Sequence, residues 1–402
     1  MTPRERSMIR RLEEADLAGR TVLVRVDFNV PMADGAVSDD TRLRAALPTI
    51  AYLREAGAKT VLLAHFGRPK GARVAEMSLA PVAPALAALI KAEVGFAPDC
   101  IGEPAARAIA ATAPGGVVLL ENTRFHPGEE RNDPAFAEAL AALGEVYVND
   151  AFSAAHRAHA STEGVARRLP AYAGLALERE INYLTAALEA PDRPVLAIVG
   201  GAKVSTKIDL LKNLVRKVDR LFVGGAMANT FLAARGVDIG ISLHEADALQ
   251  TAKDIADAAA IASCELVLPS DVVVAMEFKA HAAHRVAQLD EVGADEMILD
   301  CGPETVDRLA DAIEASRTLV WNGPLGAFEI APFHTSTVEA AQFAAKRCRD
   351  YGLVAVAGGG DTVAALNHAG VVDDFTFVST AGGAFLEWME GKALPGVEAL
   401  KA

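Results

Sequence analysis

"LVAVAGGGDTVAAL", residues 353–366, decides the fold class. A short apolar run, Leu353 to Ala357, meets Gly358, Gly359 and Gly360. Asp361 and Thr362 then open an alanine-rich stretch. The apolar run reads as a buried strand, the glycines as a tight turn, and the remainder as the start of a helix. A strand feeding a helix in this way is the building unit of a parallel sheet. The turn also delivers backbone N–H groups and a helix N-terminus to an anion such as phosphate. Asp361 would repel a phosphate unless a cation lay between them, which makes it a candidate magnesium ligand. A plain N-cap aspartate in a strand–helix turn is the competing reading.

The same pattern recurs outward from this stretch. "RPVLAIVGG" (193–201), "RLFVGGAMA" (220–228), "ELVLPSDVVVA" (265–275), "TLVWNGP" (318–324) and "FTFVSTAGG" (375–383) are short apolar runs broken by glycine, proline or a polar turn. In the first half, "TVLVRVDF" (21–28), "KTVLLAHF" (59–66), "GVVLLEN" (116–122) and "EVYVNDAF" (145–152) read as strands. Residues 39–57 between the first two have helical spacing, with Asp39, Asp40 and Thr41 as cap candidates. Strand–helix alternation predicts an α/β fold with mainly parallel sheets covered by helices. The 402-residue length suggests two domains. The break is expected within 170–193, a helical stretch bracketed by Pro170 and by Pro191 with Pro194.

Bulk properties narrow the function. A formal charge of -14 argues against nonspecific nucleic-acid binding. The first twenty residues lack the apolar core of a signal peptide, and no run is long enough to span a membrane. Cys100, Cys264, Cys301 and Cys348 lie far apart, so reduced thiols in a cytoplasmic protein are expected.

Ligand chemistry is expected at the carboxyl ends of the strands. Arg68, Arg124 and Arg157 follow strands, and Arg42 opens the first helix. Together they offer guanidinium forks for a phosphate or carboxylate, with His65 and His159 as further donors. Asp27 and Asn29 stand at alternate positions and would share a strand face beside the arginines; turn chemistry before Pro31 is the alternative. Lys203 and Lys207 would share one face of a helix start after Gly200 and Gly201, and an anionic ligand would explain two like charges there. A solvated basic face is the alternative. Glu329 follows another glycine turn, where a carboxylate could take ribose hydroxyls. No Walker A pattern and no complete GxGxxG fingerprint is present.

The stretches "RVDFNVP", "HFGRPKG", "ENTRFHPGEE", "NDAFSAAHRAHAST", "GGAKVSTK", "NGPLGAFE" and "AGGGDT" closely resemble, in order and over essentially the whole chain, the motif set of the phosphoglycerate kinases, in their compact bacterial form. The resemblance implies two Rossmann-like three-layer domains separated by a cleft: residues 1–172 with a C-terminal segment from about 385–402 binding phosphoglycerate, a connecting hinge helix at 173–190, and residues 191–384 binding nucleotide. It implies reversible transfer of the acyl phosphate of 1,3-bisphosphoglycerate to ADP, giving 3-phosphoglycerate and ATP, with Mg2+, in a cytoplasmic monomer of glycolysis and gluconeogenesis that binds neither nucleic acid nor membrane. Asp27 and Asn29 would hold the glycerate hydroxyl and carboxyl end, and His65, Arg68, Arg124 and Arg157 the nontransferred phosphate. Phe28, Phe66 and Gly67 join the substrate-binding set. Arg42 and Lys203 would serve the phosphoryl group in flight. Lys207, Gly359, Gly360, Asp361 and Thr362 would surround the nucleotide phosphates, with Asp361 on magnesium and Glu329 on the ribose. Phe66, Leu325 and Ala381 depart from the residues common in the family.

Two other classes fit parts of the pattern. A nicotinamide-dependent dehydrogenase would use two α/β units but lacks its glycine fingerprint. A non-catalytic anion-binding protein would leave Asp361 and the lysines unexplained.

Overall fold

The computed structural model describes residues 9–401. The chain forms two compact units. One holds the residues up to Asn182 together with those from Ala393 onward; the other runs from Tyr183 to Lys392. The division falls inside a helix, Leu175–Leu188. The helix Gly383–Met389 belongs to the second unit, so the return to the first begins at Ala393 rather than near 385.

The first unit contains β1 (Thr21–Arg25), β2 (Met32–Ala33), β3 (Ala36–Val37), β4 (Lys59–Leu63), β5 (Val94–Ala97), β6 (Val117–Leu120), β7 (Val146–Asn149) and β8 (Ala171–Ala173). Six of these form a parallel sheet in the order β5-β6-β4-β1-β7-β8, and β2 and β3 form a small antiparallel pair. The central strands are buried along nearly their whole length, as covering both faces of a parallel sheet demands. Val22, Val24, Leu62 and Leu119 join Leu43, Ile50 and Leu53 of the helix Thr41–Glu55 in one core. That helix starts where expected. The Asp39 carboxylate accepts the Thr41 N–H at 2.8 Å, while Asp40 pairs with Arg44.

β1 is shorter than its sequence suggests. It ends at Arg25, so Asp27 and Asn29 lie in the following loop and not on one strand face. The Asp27 carboxylate accepts the Asn29 N–H at 3.2 Å, and Pro31 cannot donate to a ladder; turn chemistry wins here. Beyond Ala393 the chain returns to brace this unit: the Gly396 N–H donates to Ala155 O at 2.9 Å, and Gly396 O accepts from the Asn149 side chain at 3.2 Å.

The second unit contains β9 (Val195–Val199), β10 (Arg220–Val223), β11 (Glu265–Val267), β12 (Asp271–Ala275), β13 (His284–Gln288), β14 (Met297–Cys301), β15 (Thr318–Asn322), β16 (Val354–Gly358) and β17 (Phe377–Ser379). The parallel sheet runs β11-β10-β9-β15-β16-β17. Numbered within the sheet this is 3-2-1-4-5-6, the doubly wound order, whose switch point lies between β9 and β15. The stretch 265–275 is not one strand. Pro269 interrupts it, and β12 leaves for a separate antiparallel sheet, β13-β12-β14. Among the described residues, no helix is long and apolar enough to cross a membrane.

Candidate active site

In the first unit the loops after β1, β4, β6 and β7 are tied together by side chains. Arg42 donates to the Asp27 carboxylate at 3.1 Å and to Asn29 O at 3.0 Å. Ser153, after β7, donates to the other Asp27 oxygen at 2.6 Å. The Asn29 side chain accepts the Gly67 N–H at 2.9 Å, and Gly67 O accepts from Arg124 at 3.0 Å. Asn122, fully buried, donates to Phe66 O at 2.7 Å and accepts the Phe66 N–H at 3.2 Å. These bonds fix the bend that carries His65, Phe66 and Gly67.

The cluster is densely cationic. Burial, then the charges of Arg25, Arg124, His159 and Arg42, hold His65 well below the ordinary imidazole value. Burial, followed by Arg124, Arg25 and Arg157, takes His159 down to about 3. Burial also lowers the buried Arg124 guanidinium, although Glu130 lies 3.3 Å away. Neutral imidazoles among fixed guanidiniums make a seat for a dianion. Arg157 is exposed; its Nε donates to His156 at 3.2 Å. Arg68 is exposed and makes no hydrogen bond among the described residues. The Phe28 side chain is wholly buried in the core, whereas Phe66 is half-buried against its edge.

The second unit is built differently. Lys207 sits at the switch point: its Nζ donates to Gly200 O after β9 and to the Asn322 side chain at the end of β15, both at 2.7 Å. Asn322 in turn donates to Gly358 O at 2.7 Å. Thr362 donates to Gly358 O at 2.8 Å and accepts the Gly323 N–H at 2.7 Å. Three strand ends are thereby joined. Burial lowers the Lys207 ammonium to about 8, against the favourable charge of Asp361. Backbones also touch: a Cβ on Gly200 would lie 1.7 Å from Pro324 O. Gly359, with φ of +100°, turns the chain into the helix Gly360–His368, where Asp361 is exposed.

Lys203 and Lys207 do not share a helical face. Val204–Thr206 is a 3-10 turn and the helix begins only at Ile208, so Lys203 stands exposed at the turn's start while Lys207 points inward. A cavity of about 510 Å³ opens beside these loops, lined among others by Gly201, Ile241, Leu243, Leu325, Glu329 and Asp361. An apolar slot with a carboxylate at its edge and a phosphate-binding turn nearby suits a nucleotide. One exposed carboxylate at such a turn is also what magnesium takes, since it keeps waters and shares phosphate oxygens.

The family model described as phosphoglycerate kinase matches residues 12–392. The chain belongs to the phosphoglycerate kinase family. The phosphoglycerate kinase of Xanthobacter autotrophicus is 64% identical, over 98% of this chain and 99% of that protein. That of Maricaulis maris is also 64% identical, over 98% and 97%. Two solved structures superpose over 98% of both chains: phosphoglycerate kinase from Coxiella burnetii (TM-score 0.91, 43% identity) and from Pyrococcus horikoshii (TM-score 0.81, 32% identity). As a phosphoglycerate kinase this protein is an enzyme, with ADP or ATP as a substrate.

Sequence reasoning missed Arg25, Asn122 and Asn322. Arg25 carried a signal, a charged residue inside an otherwise apolar strand, which needs buried acceptors. Asn122 ends one quoted strand stretch and Asn322 lies within another; nothing local marks them as the pins between neighbouring loops.

Proposed function

We propose that the two strand-end clusters carry the family's reaction, reversible transfer of the acyl phosphate of 1,3-bisphosphoglycerate to ADP, as a direct in-line step. The observation that carries the reading is the convergence of Arg42, Arg124 and neutral His65 on bonded loops in one unit, with Lys207 at the switch point of the other.

The chemistry needs charge matching and alignment more than covalent participation. Asp27 and Asn29 hold the glycerate end. Arg42, already braced on Asp27, presents its guanidinium to the carboxyl phosphate and to the phosphoryl group in flight. His65, Arg68, Arg124 and Arg157 hold the spectator phosphate. Lys207 and the N–H groups around Gly359, Gly360 and Thr362 orient the nucleotide phosphates. Lys203, exposed and without a hydrogen bond from its ammonium among the described residues, neutralises the transferring group. Glu329 takes the ribose. Magnesium, held by Asp361 and phosphate oxygens, would spread the phosphate charge when bound.

On this reading residues 1–172 with the returning C-terminal segment serve phosphoglycerate, and 191–384 serve nucleotide. In-line transfer requires the reactants in contact, so the reading includes closure about the 173–190 segment, with exclusion of water. The working form is a cytoplasmic monomer; four unpaired cysteines support a reducing compartment.

The decisive experiment supplies 3-phosphoglycerate, ATP and magnesium and couples product to glyceraldehyde-phosphate dehydrogenase. NADH loss dependent on all three is expected; folded protein without turnover overturns the reading.

A further inference from the structure

His65 is only 9% exposed, and one of its nitrogens is already engaged. Arg25, the last residue of β1, places Nη2 2.8 Å from His65 Nδ1. A guanidinium has donors, no acceptor, and keeps its proton. Nδ1 must therefore accept, and the hydrogen of a neutral ring must sit on Nε2. Nε2 makes no hydrogen bond among the described residues, so its N–H is left for a ligand.

Arg25 cannot turn away from this task. It is fully buried, its Nε donates to Ser161 Oγ at 2.9 Å, and its Nη1 donates to Val26 O at 2.5 Å. Ser161 donates through Oγ and N to Glu129, at 2.5 and 3.0 Å. Glu129, also fully buried, accepts from Thr123 at 3.2 Å as well. A continuous chain of bonds thus runs from Glu129 through Ser161 and Arg25 to the imidazole. The charged or titratable groups facing that ring are Arg25 from β1, Arg42 from the helix Thr41–Glu55, Arg124 from the loop after β6 and His159 from the loop after β7. Each guanidinium opposes a second proton on the ring.

We infer that Arg25 is a positioning residue that locks His65 as the neutral Nε2–H tautomer, so that the loop after β4 offers a phosphoglycerate oxygen a donor rather than a lone pair. This rests on the substrate site proposed above. Without Arg25 the ring is free to carry its hydrogen on Nδ1, and Nε2 would then present electron density to an anion. The buried Glu129 would also lose its distant counter-charge, which is why Arg25 is paired to it through a serine rather than left to solvent.

Two-bond 1H–15N spectra of histidine-labelled protein, with His65 assigned by comparison with His65→Gln, read the tautomer directly. The wild type is expected to show the Nε2–H pattern unchanged from pH 5 to 8. An Nδ1–H pattern, or titration in that range, overturns the inference without any variant at Arg25. Arg25→Met is expected to abolish the pattern and raise KM for 3-phosphoglycerate about tenfold, with KM for ATP unchanged. Ser161→Ala, which loosens Arg25 more gently, is expected to do the same to a smaller degree and covers the case in which Arg25→Met fails to fold. Either variant, folded and with the Nε2–H pattern intact, overturns the role given to Arg25. Added 3-phosphoglycerate is expected to shift the His65 Nε2 resonance; a locked ring that ignores the substrate overturns the substrate site and leaves the tautomer standing.

Discussion

On the reading proposed above, the two halves of this kinase meet phosphate in opposite ways. In the first unit the ligand surface is made of side chains, and the buried atoms of Arg25, Asn122 and Glu129 exist to hold them. In the second it is made of backbone, with glycines at the ends of β9, β10, β15 and β16 and one inward lysine, Lys207, holding two loops together. A guanidinium fork recognises the shape of its partner through paired N–H groups. A backbone cradle recognises charge at close range and works only while its chains can touch. The first should break when a charge is removed, the second when a methyl group is added.

That contrast can be broken at four points. Removing charge from the first unit has the largest expected consequence: Arg42→Met should cut kcat about 10³-fold, the scale of a lost transition-state arginine, with the urea midpoint unchanged. A loss below tenfold would take Arg42 out of the chemistry. Adding a methyl to the second unit comes next. Gly200→Ala drives a Cβ into Pro324 O and should cost roughly 3 kcal/mol in urea unfolding, whereas Gly360→Ala, with nothing within 4 Å, should cost none. Equal effects at the two glycines would erase the distinction.

The third point uses pH. Lys207 loses its proton near 8, so KM for ATP should rise above that pH by up to about tenfold per unit, while Lys207→Arg gives a flat profile. A wild-type profile as flat as the arginine variant's would show that the ammonium does not meet the nucleotide. The smallest effect concerns Asp150, buried behind the first site, where it accepts the N–H groups of Ala176 and Leu177. Burial raises its carboxyl to about 7. The folded state then binds the proton more tightly than the unfolded one, near 4. Its stabilising contribution is therefore full below pH 4 and lost as pH rises through 7. Asp150→Asn keeps the accepting oxygen without the charge. Its thermal midpoint at pH 8 should exceed the wild type's by about 2–4 °C, with the gain shrinking towards pH 4. A lower midpoint at pH 8 would mean that the ionised form is the one the fold uses.

What the sequence made legible follows from how local each feature is. Strand ends beside glycines were visible because apolar runs and turn residues announce themselves within ten positions. Arg124, His65 and Lys207 stood out as candidates for that reason. Arg25 was not, because its partners Ser161 and Glu129 lie more than a hundred residues away and only the sheet brings them near. The lysine pair was misread as helical because a 3-10 turn has no apolar period to distinguish it from a helix start. The antiparallel sheet escaped because β12 was read as one run with β11 and because β13 is mostly exposed and polar, so no apolar run marks it.

The return of the chain at Ala393 has a consequence in time. A ribosome releases polypeptide in one direction, and domains tend to form as they emerge. Gly396, which props the Ala155 segment and thereby the loop carrying Arg157, is made only after the whole of Tyr183–Lys392. The nascent protein can therefore complete the unit Tyr183–Lys392 while the first unit still lacks a brace. The earlier part of the message waits on the later one before the loop bearing Arg157 is set.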